Sequence, residues 1–510
     1  MATPSEKLAQ SLEVLNELQK KNVNGAIQTK DITRTHRERL LDNGFIREVI
    51  KGWYIPTRPD ETKGDSTAWY ASYWKFVSSY LNERFKDDWC LSAEQSLSIH
   101  AGNWIVPSQL LVRSPKAHNN LTNLPHNTTL LEVKGELPPK IDIEKEADLR
   151  IMKLTKAVID CSPGYYTQYS IDARAALTMF REASELLAHL LDGGHSLIAG
   201  RLAGAFRNIG RDRISDDIIK TMQSVGYDIR ENDPFTEKLS FGLSAREASP
   251  YVSRIRLMWQ HMRTPVLANF PKPHGLPKDI NLYMKQVDEI YVTDAYHSLS
   301  IEGYQVTPEL IERVRSGAWS PDLIKADMEQ KNALAARGYW QAFQAVKQSI
   351  NKIIQGTNAG QVVDEDHVTW YRELFAPNVT SGILKPSDLA GYRNGQVFIR
   401  GSKHTPLNRE ALRDAMPVLF ELLTEETEPA VRVVLGHFIF VYIHPYMDGN
   451  GRIGRFLMNA MLASGGYPWS IIPVESRPDY MAALEKASGE QDIVPFARFL
   501  AKQQIYKILY

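Results

Sequence analysis

The run AVRVVLGHFIFVYI, residues 430–443, is one of the most apolar in the chain, and it stops abruptly at HPYMDGNGRIGRF, residues 444–456. That junction constrains the fold more than any other feature of the sequence. The run is shorter than the ~18 apolar residues of a membrane span, so it reads as a buried helix. Pro445 disfavours helical geometry at the residue before it, which ends that helix at His444. Beyond the loop, Ile453, Phe456, Leu457, Ala460 and Met461 recur at i, i+3, i+4, i+7 and i+8, one buried face of a second helix. Arg452, Arg455 and Asn459 share a different face, and Gly465-Gly466 supplies the stop. Two buried helices thus flank a short polar loop.

The loop has the chemistry of an anion cradle. Asp448-Gly449-Asn450-Gly451 leads into a helix start, where free backbone N–H groups, approached closely through glycines, hold phosphate oxygens. Arg452 and Arg455, one turn apart, add forked cationic donors. Asp448 offers the carboxylate that Mg²⁺ combines with phosphate oxygens. His444, as a neutral imidazole, can take a proton from an attacking hydroxyl. Base, metal ligand, nest and two arginines together specify phosphoryl or nucleotidyl transfer from a polyphosphate. A basic helix start with a capping histidine explains any one of these residues, but not the whole string.

Composition sets the bounds around this site. The chain has 510 residues, room for roughly two to four domains and a sizeable core. Lys+Arg and Asp+Glu balance at 60 each, so overall charge implies no partner and any nucleic-acid face must be local. Two cysteines, Cys90 and Cys161, argue against a disulfide framework and suit a reducing cytosol. Neither lies near the loop, which disfavours a Cys nucleophile or a structural zinc. The start, MATPSEKLAQSLEVLNEL, lacks the apolar core of a signal peptide, so a cytoplasmic location is expected, without a membrane span.

Three regions are expected. Residues 1–58 give a helix with Leu8, Leu12 and Leu15 in phase, two short helices in AIQTKDI and TRTHRERLLDNG, and a hairpin in FIREVIKGWYIP. That is a winged helix-turn-helix pattern. Its Arg34, Arg37, Arg39, Arg47 and Lys51 suit phosphate contacts and groove readout; a helical module for protein contacts is the alternative. Residues 59–264 mix strand-like pieces (SQLLVRS, NTTLLEVKG) with helices, SIDARAALTMFREASELLAHLLDGG being the clearest. The proline-rich stretch PVLANFPKPHGLP, residues 265–277, reads as a linker. Residues 275–510 are almost wholly helical, interrupted by the hairpin-like GYRNGQVFIRGSKHTP, residues 391–406. The fold class expected is mainly α.

The string from His444 to Arg455 resembles the Fic-family signature H-[FP]-x-x-[DE]-G-N-G-R-x-x-R, with Tyr446 where the family usually has Phe. The resemblance covers roughly residues 275–510. It implies a helical core with a β-hairpin flap that transfers AMP from ATP to a protein hydroxyl and releases pyrophosphate. On that template His444 is the base, Asp448 binds Mg²⁺, and Gly449, Asn450, Gly451, Arg452 and Arg455 bind phosphates. The flap, here Val397, Phe398 and Ile399, would clamp the target's backbone by strand addition. SLSIEG, residues 298–303, is similar to the family's inhibitory motif [ST]-x-x-x-E-[GN]. Ser298, Glu302 and Gly303 are its fixed positions, and Glu302 would pair with Arg455 and displace the γ-phosphate. Tyr480 would stack near the adenine, with burial in the core an equal alternative; His437 reads as a satisfied core histidine. The first region also resembles the N-terminal domain of antitoxins in AbiE-type toxin–antitoxin systems.

The expectation is an adenylyltransferase autoinhibited by Glu302. Its partners would be ATP and a protein bearing a Tyr, Thr or Ser hydroxyl, itself included, with duplex DNA at residues 1–58 and a homodimer left open. Two rivals stay in view: a de-AMPylase using the same site, and a DNA-binding regulator whose Fic site senses nucleotide.

Overall fold

A computed structural model describes residues 3–21, 26–61, 64–236, 249–317 and 330–508. The chain parts into two compact units, residues 1–254 with 398–405, and residues 255–397 with 406–510.

The first unit begins with helix α1 (Pro4–Lys21) and helix α2 (Arg34–Asp42) over a three-stranded antiparallel sheet of β1 (Ile27–Gln28), β2 (Ile46–Ile50) and β3 (Trp53–Pro56), in the order β1-β3-β2. Leu15, Ile27, Ile32, Leu40, Ile46 and Tyr54 form its core. The hairpin expected at FIREVIKGWYIP is present, with Gly52 at φ 82° taking the left-handed turn that other residues resist. The helix expected at AIQTKDI is not. Ile27 and Gln28 pair instead with Tyr54 and Trp53, and only Thr29–Asp31 coils, as a 3-10 turn.

Next, α3 (Thr67–Phe85) buries Trp69, Tyr73, Phe76, Val77 and Leu81 with Leu110, Val112 and Leu130 of a four-stranded sheet. That sheet comprises β4 (Cys90–Leu91), β5 (Gln109–Ser114), β6 (Asn120–Leu124) and β7 (Thr128–Lys134), in the order β4-β5-β7-β6. The long helix expected from Ser170 is two, Ser170–Thr178 and Ser184–Asp192. Of the proline-rich stretch, Pro265 to Asn269 is still helical, the last turns of Pro250–Asn269.

The second unit holds α4 (Tyr291–Ile301), α5 (Gln330–Ile354), α6 (Ala359–Thr380), α7 (Arg409–Glu425), α8 (Pro429–Ile443) and α9 (Asn450–Ser464). Helix α8 is the apolar run and ends where Pro445 requires. Helix α9 buries the expected stripe, but also Arg452, Arg455 and Asn459, so it is enclosed on every side. Asn459 is satisfied there by Ser470, accepting from its N–H at 2.7 Å and donating to its carbonyl at 3.0 Å.

The flap is a correction to the sequence reading. Residues 391–406 form no strand ladder. Side chains join its arms instead: Gln396 Nε2 donates to the Pro406 carbonyl at 2.9 Å, and Arg393 donates to the carbonyls of Gly395 (3.0 Å) and Leu407 (2.5 Å). Pro406 has no N–H to offer a ladder.

Candidate active site

His444 caps α8 in the left-handed region, φ 56° and ψ 63°, a conformation that non-glycine residues hold only when their surroundings enforce it. Its carbonyl accepts from Arg393 Nε at 2.7 Å, and the following Pro445 carbonyl accepts from the Arg393 N–H at 2.9 Å. Its Nδ1 lies 3.3 Å from the Val441 carbonyl. With the proton on Nδ1 for that bond, Nε2 keeps its lone pair. Burial pushes the imidazole pKa down to about 4, and the Arg393 charge acts in the same direction. The ring is therefore a neutral acceptor at physiological pH.

The loop between the helices holds its shape internally. Asn450, assigned to phosphate by the resemblance, is 2% exposed; its side chain accepts from Tyr446 N and donates to Tyr446 O, both at 2.8 Å. It clasps the loop, which leaves backbone N–H groups at the α9 start as the anion donors. Gly449 sits at φ 83°, and a Cβ there would lie 2.8 Å from Phe375. Gly451 leaves room for a different reason: a Cβ would lie 2.3 Å from Glu302 Oε1. Tyr446 stacks on Tyr371 at 3.8 Å and is wholly buried, and its hydroxyl has no hydrogen-bond partner among the described residues.

Both arginines are buried and held. Arg452 is flanked by the rings of Tyr304 and Phe375, at 5.2 and 5.1 Å, and reaches Asp448 Oδ2 at 3.3 Å. Arg455 donates Nε to Ser298 Oγ at 2.9 Å, and Nη2 to the Ser298 carbonyl at 3.0 Å and Glu302 Oε1 at 2.7 Å. Burial alone would raise the Glu302 pKa, but Arg455 and Arg452 outweigh it and hold the carboxylate below its usual range. Gly303, at φ 89°, turns the chain out of α4 directly after Glu302. Ser298 and Glu302 thus both accept from Arg455, while Gly303 only makes the turn that follows them.

The Asp448 side chain is 65% exposed at the lip of this cradle. Among the described residues no cluster of three or more His, Cys, Asp or Glu side chains stands ready for a metal. The donor set fits a hard cation that takes one carboxylate here and its other oxygens from phosphate and water.

Tyr480 is packed in the core beside the cradle, 2% exposed, its hydroxyl 2.7 Å from His437 Nε2 and facing the Arg455 charge, so burial accounts for it without an adenine platform. His437 is satisfied on its other nitrogen by the Gly454 carbonyl at 2.7 Å. In the first unit, Arg39 donates to Lys7 O and Ser11, and Arg47 to Glu61. Arg34 pairs with Glu38, and Arg37 lies over the Tyr54 ring. Three residues touch the machinery from distant positions: Tyr304 and Phe375 carry no signal in the sequence, and Arg393 lies within the hairpin-like segment but matches no motif there.

Residues 363–462 match the model of the Fic/DOC family. The protein adenylyltransferase Fic of Nematostella vectensis is 29% identical over 255 residues, 49% of this chain and 56% of that protein. The protein adenylyltransferase fic-1 of Caenorhabditis elegans is 26% identical over 223 residues, 43% of this chain and 40% of that one. The chain thus spans about half the length of these curated relatives. Among solved structures, a Fic-1 fragment from C. elegans aligns with 18% identity and a TM-score of 0.36, over 70% of this chain and 85% of its own. A Fic domain containing signaling protein from Bacteroides thetaiotaomicron aligns with 18% identity and a TM-score of 0.33, over 51% and 95%.

Proposed function

We propose that this chain uses residues 363–462, which match the Fic/DOC family model, to transfer AMP from ATP to a hydroxyl side chain of a protein. The observation that carries the reading is the placement of His444. It is a neutral base fixed at a helix end, four residues before Asp448 and the glycine-flanked start of α9. The target oxygen attacks the α-phosphorus, His444 Nε2 takes the hydroxyl proton, and the bond to the bridging oxygen breaks, releasing pyrophosphate. The α9 N–H groups and Arg452 neutralise charge on the phosphate oxygens, and Arg455 serves the γ-phosphate. Asp448 would hold Mg²⁺, which when bound offsets polyphosphate charge.

Glu302 restrains this reaction. While its carboxylate occupies Arg455, ATP must displace it or bind with its α-phosphate misaligned to the hydroxyl. The same carboxylate supports a second reading, removal of AMP by a water that Glu302 positions, because it lies against Gly451 at the start of α9.

His444→Ala tests the transfer reading. Incorporation of α-labelled AMP should fall by about 10²–10⁴ with ATP affinity kept; surviving incorporation would remove His444 as the base. Incubating AMP-modified protein with wild type and watching for AMP release separates the second reading.

Residues 1–58 are read as a DNA contact through Arg34, Arg37 and Lys51; Arg39 and Arg47 bond to Lys7, Ser11 and Glu61, while Arg34, though paired with Glu38, keeps 82% of its side chain exposed. A gel shift with the full chain, at rising salt, decides between DNA and a protein-contact module.

A further inference from the structure

Arg393 is 2% exposed, and each of its hydrogen bonds among the described residues goes to a backbone carbonyl. A buried guanidinium without a carboxylate is costly unless its donors are all used, and here they join two places. On one side are carbonyls at the end of α8 and just beyond it: Ile443 at 3.4 Å, the cap residue His444 at 2.7 Å, and Pro445, which accepts from the Arg393 backbone N–H at 2.9 Å. On the other side are Gly395 at 3.0 Å and Leu407 at 2.5 Å, the two feet of the segment expected to clamp the target.

We propose that Arg393 is a positioning residue that sets the base in register with the two ends of the target-clamping segment, fixing His444, Gly395 and Leu407 through one guanidinium. The proposal rests on the AMP-transfer reading above. His444 holds a left-handed conformation, and its own carbonyl is the one that Arg393 Nε grips. A hydroxyl presented by the clamped segment reaches the α-phosphate and Nε2 together only if the two anchor points keep their spacing. The cradle needs none of this: its donors lie on α9, and Arg452 and Arg455 are held by Tyr304, Phe375, Ser298 and Asp448. Lysine would keep the charge but not the flat five-donor fork.

The test uses the full chain with Glu302→Gly as background, reading self-modification from labelled ATP, affinity for a non-hydrolysable ATP analogue, and melting temperature. A background that shows no AMP transfer sinks the parent reading, separately from this one. In an active background, Arg393→Lys should lower the saturating rate about 10²-fold, the penalty of an error of ~1 Å in alignment. Affinity for the analogue should stay within about twofold, because the cradle's donors are untouched. Arg393→Gln should do the same and also raise the acid limb of the pH–rate profile. It removes a positive charge facing His444, leaving Asp448 as the charged group near the ring once Glu302 is gone. The proposal is overturned by an unchanged rate in both variants. It is equally overturned if the rate falls only in step with analogue affinity and melting temperature, which is what a purely structural residue would produce.

Discussion

At the residue scale the site is decided by which polar groups are satisfied and which are left free. His444 gives Nδ1 to a carbonyl and keeps Nε2 for chemistry, while His437, buried on the same helix, spends both nitrogens and keeps neither. The sequence separated the two by position alone, and the hydrogen bonds supply the reason. Tyr446 shows the opposite balance, with a hydroxyl buried where it finds no partner among the described residues. A buried unsatisfied hydroxyl costs about 1–3 kcal/mol. Tyr446→Phe should therefore raise stability by about 1 kcal/mol in urea unfolding and leave AMP transfer intact, since the ring stacking on Tyr371 is kept. A lower unfolding midpoint would show that the hydroxyl is bonded in solution.

At the element scale, the proposed restraint on transfer lies where α4 and α9 meet. Glu302 caps one helix and Arg455 lies one turn into the other. A charge-assisted pair of this kind contributes about 1–3 kcal/mol. Glu302→Asp draws the carboxylate back by about 1.5 Å, one carbon–carbon bond, so its self-modification should fall between wild type and Glu302→Gly. Equal rates for the Asp and Gly variants would mean that contact with Arg455 is not what restrains transfer. This junction was legible because its parts are short motifs whose residue types carry the chemistry. The flap was not, because alternating residues at 391–406 look like a hairpin, and only the fold reveals that Arg393 and Gln396 link the arms in place of a ladder. Likewise AIQTKDI has no local reason to be extended; its strand exists because Trp53 and Tyr54 are there to pair with it. The burial of Arg452 was illegible too, since Tyr304 and Phe375 are far from it in the chain.

At the scale of the whole molecule, stability responds to acid through buried histidines. Burial holds His437 and His444 at about 4 and lowers His367 as well. Between about pH 4 and 6.5 the unfolded chain binds protons that the folded chain refuses, so stability should rise with pH across that window and gain nothing more from these groups above it. Urea midpoints at about pH 5 and pH 7 check this; equal midpoints would contradict the buried neutral histidines. Among the described residues no helix is long and apolar enough to cross a membrane. The central claim is that the loop after α8 transfers AMP and that Glu302 restrains it. Its most direct test is the intact mass of three full-length proteins after incubation with ATP and Mg²⁺. Wild type should stay almost unmodified, Glu302→Gly should gain one or more AMP groups, and Glu302→Gly combined with His444→Ala should gain none. AMP on the double variant, or none on Glu302→Gly with or without an added protein lysate, would contradict it.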